Sequence, residues 1–139
     1  MLSDTLVTNE VKDSVGTEIE FERINSEGRT TVFQTTNPTP GRPHTLTIKH
    51  QESGSGVSKR RRSTVRFDKV IVGQVDTTRT ETISAYVVGD FPVGNMTAYT
   101  QVYEVLANLM SFLASDGSGT TILYAGTGSG AKSLALGTI

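Results

Sequence analysis

The chain has 139 residues, of which 35% are hydrophobic and 19% charged, with neither cysteine nor tryptophan. That length fits one domain, and the lack of cysteine excludes disulfides and thiolate metal centres. The apolar content makes a lean core, and one way to stabilise such a chain is to bury apolar surface against a second copy. The longest apolar stretches are too short to span a bilayer, so no membrane partner is expected. The start, Met1-Leu2-Ser3-Asp4, has no basic region followed by an apolar run, so a soluble intracellular product is the expectation.

A net charge of −1 conceals an asymmetry. Residues 1–27 carry seven acids (Asp4, Glu10, Asp13, Glu18, Glu20, Glu22, Glu27) against Lys12 and Arg23. Residues 42–66 carry seven bases (Arg42, Lys49, Lys59, Arg60, Arg61, Arg62, Arg66) against Glu52. The distribution points to one acidic and one basic surface, the alternative being a solvated loop on an ordinary surface.

In chain order, the first two-thirds reads as short strands separated by turns. Thr5 to Glu10 is a weak strand, and Glu18 to Ile24 alternates with Ile19 and Phe21 on one face. Ser26-Glu27-Gly28 turns the chain into Thr30–Thr35, after which Pro38, Pro40 and Pro43 mark a loop. His44–His50 is the next strand, with Leu46 and Ile48 on one face and Thr45, Thr47 and Lys49 on the other. The polar stretch Glu52–Ser58 reads as a flexible hairpin connection leading through Lys59-Arg60-Arg61-Arg62 into a strand over Ser63–Asp68. Val65 and Phe67 share the core side there, opposite Arg62, Thr64 and Arg66. A last strand over Thr80–Gly89 opposes Ile83, Ala85 and Val87 to Thr82, Ser84 and Tyr86. Short links between consecutive strands imply an antiparallel meander with one packed and one polar face.

The period then changes. Tyr99, Val102, Tyr103, Leu106, Leu109, Met110 and Leu113 are spaced for one face of an α-helix, capped by Asn95 or Thr97 and stopped by Asp116-Gly117. Glu104 is the one charged residue between Thr97 and Ser115. An outer helix of a monomer normally carries charge on its solvent side. This one is therefore expected to be covered on two sides, by its own sheet and by a second subunit; the alternative, a central helix buried within one domain, would need a second layer that the roughly 22 residues after it are too few to build. The Gly- and Ser-rich tail, with an apolar patch at Ile122-Leu123-Tyr124-Ala125, suits a short helix or an extended segment.

Chemistry for catalysis is sparse. His44 and His50 lie about 20 Å apart on one strand at a rise of ~3.3 Å per residue, too far to share a metal. No nucleophile elbow, zinc helix or phosphate loop is present, and Gly126-Thr127-Gly128-Ser129-Gly130 lacks the Lys-Ser/Thr that such a loop requires. Neither an enzyme nor a cofactor, metal or small-molecule substrate is expected. Nucleic acid fits better. Lys59, Arg60, Arg61, Arg62 and Arg66 crowd one hairpin near Lys49, where each cation beside a phosphate releases counterions. Thr45, Thr47 and Thr64 offer hydroxyls on the same sheet face, and Tyr86 offers a ring on which an unpaired base can stack.

This order of elements, most tellingly the hairpin His44–Val70 and the junction Thr80–Gly117, resembles the levivirus-type coat proteins of single-stranded RNA bacteriophages, over residues 4–125. The resemblance implies an α+β fold: an N-terminal strand pair, an antiparallel meander sheet, one long C-terminal helix and a short tail. The whole of 1–139 would form a single coat domain, with N-terminal strands over 1–37, an RNA-facing sheet over 38–92, a dimerisation helix over 95–117 and a tail over 118–139. Two subunits would join sheets edge to edge, with helices packed across the partner, and dimers would close into an icosahedral shell. Single-stranded RNA stem-loops would bind the inner sheet face, serving packaging and translational repression, in a virion made in the bacterial cytoplasm. Carried over by strand position, the inward residues are Thr45, Thr47, Lys49, Arg62, Thr64, Arg66, Thr82, Ser84 and Tyr86. The link between Val72 and Thr80 is shorter than in familiar relatives. A dimeric nucleic-acid-binding regulator without a shell and a non-RNA structural protein, such as a phage tail component, are the alternatives.

Overall fold

The computed structural model describes residues 2–117, 123 and 125–138. They fall into two compact units, Met1–Val7 with Glu20–Met96, and Thr8–Ile19 with Thr97–Ile139.

The first unit is an antiparallel meander of six strands in sequence order: β1 (Thr5–Leu6), β2 (Phe21–Glu27), β3 (Thr30–Thr35), β4 (His44–Ser53), β5 (Arg60–Val72) and β6 (Thr80–Phe91). Alternation of apolar and polar residues gives the sheet two chemically distinct faces. On the apolar face Leu6, Phe21, Phe33 and Leu46 are buried, the core of the described residues. Pairing places Leu6 opposite Phe21, Phe33 opposite Leu46 and Leu46 opposite Phe67. Phe21 meets Phe67 edge-on at 6.1 Å and His44 at 5.2 Å between ring centres. Burial, and then the nearby Lys69 charge, hold the His44 imidazole below its ordinary pKa.

Local chemistry fixes the turns. β2 and β3 are joined through Gly28-Arg29, with Gly28 in the left-handed region at φ +58°. The proline loop closes through a Thr39–Arg42 bridge. β4 and β5 run on past the expected ends to Ser53 and from Arg60, pairing ten residues each. The connection is correspondingly shorter and more built than a flexible linker. It contains a 3-10 turn over Gly56–Ser58, and Gly94, after β6, donates its N–H to the Lys59 carbonyl at 2.8 Å. A Cβ at Gly94 would lie 2.1 Å from the Gly56 carbonyl oxygen, so this contact requires glycine.

Two further strand expectations shift, both near the N-terminus. The weak strand over Thr5–Glu10 shrinks to Thr5–Leu6, because side chains capture the backbone beyond it. The Glu10 carboxylate accepts from the Thr8 N–H at 2.6 Å, and Asp13 accepts from the Val15 and Thr17 N–H groups at 3.0 and 2.8 Å. The strand expected over Glu18–Ile24 starts at Phe21 and continues to Glu27 through a bulge between Arg23 and Asn25. Glu18 instead bridges Lys12 within the second unit.

The second unit contains α1 (Thr100–Ala114) and α2 (Ser129–Leu136). The expected caps Asn95 and Thr97 are not used. Asn95 closes the 3-10 turn Val93–Asn95, and α1 begins after Tyr99 without a side-chain cap. Gly117, at φ +85°, follows the end of α1 where a stop was expected. The tail forms a short helix, and its glycines serve packing: a Cβ at Gly128 or Gly130 would fall 2.5 Å from the Leu113 carbonyl or 2.4 Å from that of Phe112. Leu123 donates its N–H to the Ala114 carbonyl at 2.8 Å, while Ile122 and Tyr124 of the apolar patch lie outside the described residues. No described helix is long and apolar enough to cross a membrane.

Candidate nucleic-acid interface

The polar face of β4–β6 is assembled by register. Thr45 pairs with Asp68 and Asp68 with Ser84, and one step along Thr47 pairs with Arg66 and Arg66 with Tyr86. Next come Lys49, Thr64 and Val88, then Gln51, Arg62 and Asp90, while Thr82 pairs with Val70 in the opposite direction. Because neighbouring partners share a face, Thr45, Thr47, Lys49, Arg62, Thr64, Arg66, Thr82, Ser84 and Tyr86 lie on one surface. Tyr86 is 65% exposed, leaving its ring free to stack.

The four-base run is divided by the same alternation. Arg60 stands on the polar face, with its Nε 2.8 Å from Asp90. Lys59 and Arg61 do not join it. Glu52 shares the apolar side with Leu46 and Ile48 and pairs with Arg61 across the strands. Its carboxylate receives the Lys59 Nζ at 2.8 Å, the Arg61 Nη2 at 2.8 Å and the Arg29 Nη1 at 3.0 Å. Charge-assisted hydrogen bonds from these three cations pull the Glu52 carboxyl down to about 2.

Sequence reasoning missed the acids on the polar face. Asp68 Oδ1 accepts from Arg66 Nε at 2.9 Å and Nη2 at 2.8 Å, and also from the Ser84 hydroxyl. The Arg66 and Ser84 hydrogen bonds lower the Asp68 carboxyl below its usual range. An Arg-x-Asp pair on one strand was the available signal, since residues two apart share a face. Over β4–β6 this face holds Lys49, Arg60, Arg62 and Arg66 against Asp68 and Asp90. Lys49 and Arg62 have no ion pair among the described residues. The result is a cationic surface with hydroxyls and one exposed ring, suited to phosphates and unpaired bases.

The apolar face carries a cavity of about 340 Å³ lined by Arg23, Ser26, Thr31, Phe33, Ile48 and His50 among others. His50 donates to or accepts from Ser63 Oγ at 2.8 Å through Nδ1. Among the described residues no cluster suited to holding a metal is present.

The expected helical stripe forms on α1 except for Tyr99, which stands just before it, and no α1 residue is buried in the single chain. Val102, Leu106 and Leu113 are half-buried, whereas Tyr99, Tyr103, Leu109 and Met110 are exposed, with Val105 and Phe112.

Comparison with solved structures places this architecture. The coat protein of bacteriophage EMS014 superposes with a TM-score of 0.63 at 12% identity, covering 87% of each chain. The virus-like particle of bacteriophage AVE015 gives 0.58 at 17% identity, over 100% of this chain and 90% of that one. The virus-like particle of Beihai levi-like virus 32 gives 0.57 at 24% identity, over 68% and 75%. No protein-family model matches the sequence, and no curated protein does. The chain has the levivirus coat-protein fold, as the sequence-level resemblance implied.

Proposed function

We propose that this chain is a capsid protein of a single-stranded RNA phage, which dimerises, closes into an icosahedral shell and holds genomic RNA on the polar face of β4–β6. The fold is the one seen in virus-like particles and coat proteins of such phages. The observation that carries the RNA part is the register, which collects four cations, a row of hydroxyls and Tyr86 on one surface. Dimerisation is supported by β6, which pairs with β5 on one edge and with no described strand on the other, and by the uncovered apolar stripe of α1. Joining β6 to its copy would satisfy the unpaired backbone groups that make an exposed edge a liability. Stem-loop recognition, translational repression and residence in the virion belong to this reading.

Expression of the chain alone tests it. Closed particles containing host RNA are expected by electron microscopy and nucleic-acid absorbance. Monomers or small oligomers at every protein concentration would overturn the shell. A dimer that binds RNA and never closes would instead identify the regulator.

A further inference from the structure

We propose that Glu52 is a specificity-determining residue that withholds Lys59, Arg61 and Arg29 from RNA, confining phosphate binding to the polar face. This rests on the RNA-holding role proposed above. By composition the hairpin is a continuous basic patch, which would attract any polyanion from either side of the sheet. The structure makes it one-sided. One carboxylate, its side chain only 19% exposed, engages three cations at 2.8–3.0 Å. Alternation sends Arg60 and Arg62 to the opposite face. A cation donating to a fixed carboxylate must break those bonds to reach a phosphate, so it contributes less to counterion release than a free one. Lys49 and Arg62, without an ion pair among the described residues, remain to set affinity. The arrangement also has a fixed frame: Lys59 accepts the Gly94 N–H at its carbonyl, which anchors the residue whose amine Glu52 holds.

The test is salt-dependent binding of the full-length protein to a fluorescent single-stranded oligonucleotide, with amine footprinting of Lys59. Glu52→Gln keeps the side chain's size and removes its charge. Each freed cation should steepen the slope of log affinity against log salt by about 0.7 on a single strand, so by up to about 2 for three. Across a fourfold change in salt this is about 2–3-fold in affinity per cation. RNA should protect Lys59 in the variant and not in the wild type, and Glu52→Asp should behave as wild type. An unchanged slope with Lys59 unprotected overturns the proposal, as does protection of Lys59 in the wild type. If Glu52→Gln does not fold, Lys59→Ala and Arg61→Ala decide it: both should leave the wild-type slope unchanged, while Arg62→Ala lowers it by about 0.7. A drop of that size for Lys59→Ala overturns it. Should the wild type hold no RNA, the parent reading fails. RNA binding acquired by Glu52→Gln would still support the withholding role, and none by either protein would overturn both.

Discussion

β4 and β6 are long strands of one sheet and differ in what surrounds them. β4 lies between β3 and β5, buries Leu46 and keeps most of its first half partly covered. β6 has β5 on one side, and every residue from Thr80 to Val88 is exposed, including Ile83 at 56% on the apolar face. The two carry the same alternation, so the difference is one of neighbours and not of composition. The buried residues Leu6, Phe21, Phe33 and Leu46 lie on β1–β4, whereas β6, like α1, presents apolar surface that a second copy would cover.

Substitutions on the two sides should therefore fail differently. Leu106→Asp or Met110→Asp should have the largest effect, abolishing dimers and shells together while far-ultraviolet dichroism retains the sheet; normal particles by light scattering would remove α1 from the interface. Phe33→Ala, at a fully buried site, should cost about 3–5 kcal/mol in denaturant unfolding, with the same loss at every protein concentration. A loss that shrinks with concentration would mean that the β2–β4 side also depends on a partner. Tyr86→Ala should weaken single-stranded RNA binding by about 1–3 kcal/mol through lost stacking, without altering assembly; equal binding by titration would exclude the ring from the site.

The smallest effect is in acid. The Glu52 carboxyl is held at about 2 against an ordinary 4.5. Its contribution to stability is thus fully present above about 4.5 and disappears as pH falls through about 2. Thermal unfolding of the wild type should lose stability across that window more steeply than that of Glu52→Gln. Parallel curves would show that the three cations add nothing to folding.

Much of this was legible in the sequence because a period of two is a strong signal. Alternation puts Leu46, Ile48, Val65, Phe67, Ile83, Ala85 and Val87 on the packed side of their strands, and pairing joins them on one face. The same parity, applied through the basic run, would have separated Arg61 from Arg60 and Arg62. The Arg29–Glu52 contact is not legible in the sequence, since Arg29 arrives from a different hairpin. The helix starts later than its cap chemistry suggests: Asn95 and Thr97 suit a cap, yet the 3-10 turn takes up Asn95 and α1 begins at Thr100. The bulge in β2 left no mark, as Ile24 is an ordinary strand residue.

That bulge gives the polar face a direction. Glu22 and Glu27 are five residues apart and would point to opposite sides of a regular strand. The extra residue brings both to the polar side, where Glu22 pairs with Gln34 and Glu27 with Thr30. Those partners lead on through β3 to Thr45 and Lys49 of β4. Each row thus begins with an acid on β2 and reaches a hydroxyl or a cation on β4. With strands about 4.8 Å apart, Glu27 and β5 are separated by about 14 Å, beyond a physiological screening length of about 8 Å. The acids of β2 therefore do not compete for Arg62, the β5 cation without an ion pair among the described residues, while still repelling a polyanion locally. The face therefore runs from acids on β2 to cations on β4 and β5, so negative charge is turned away from β2 and drawn towards Lys49 and Arg62.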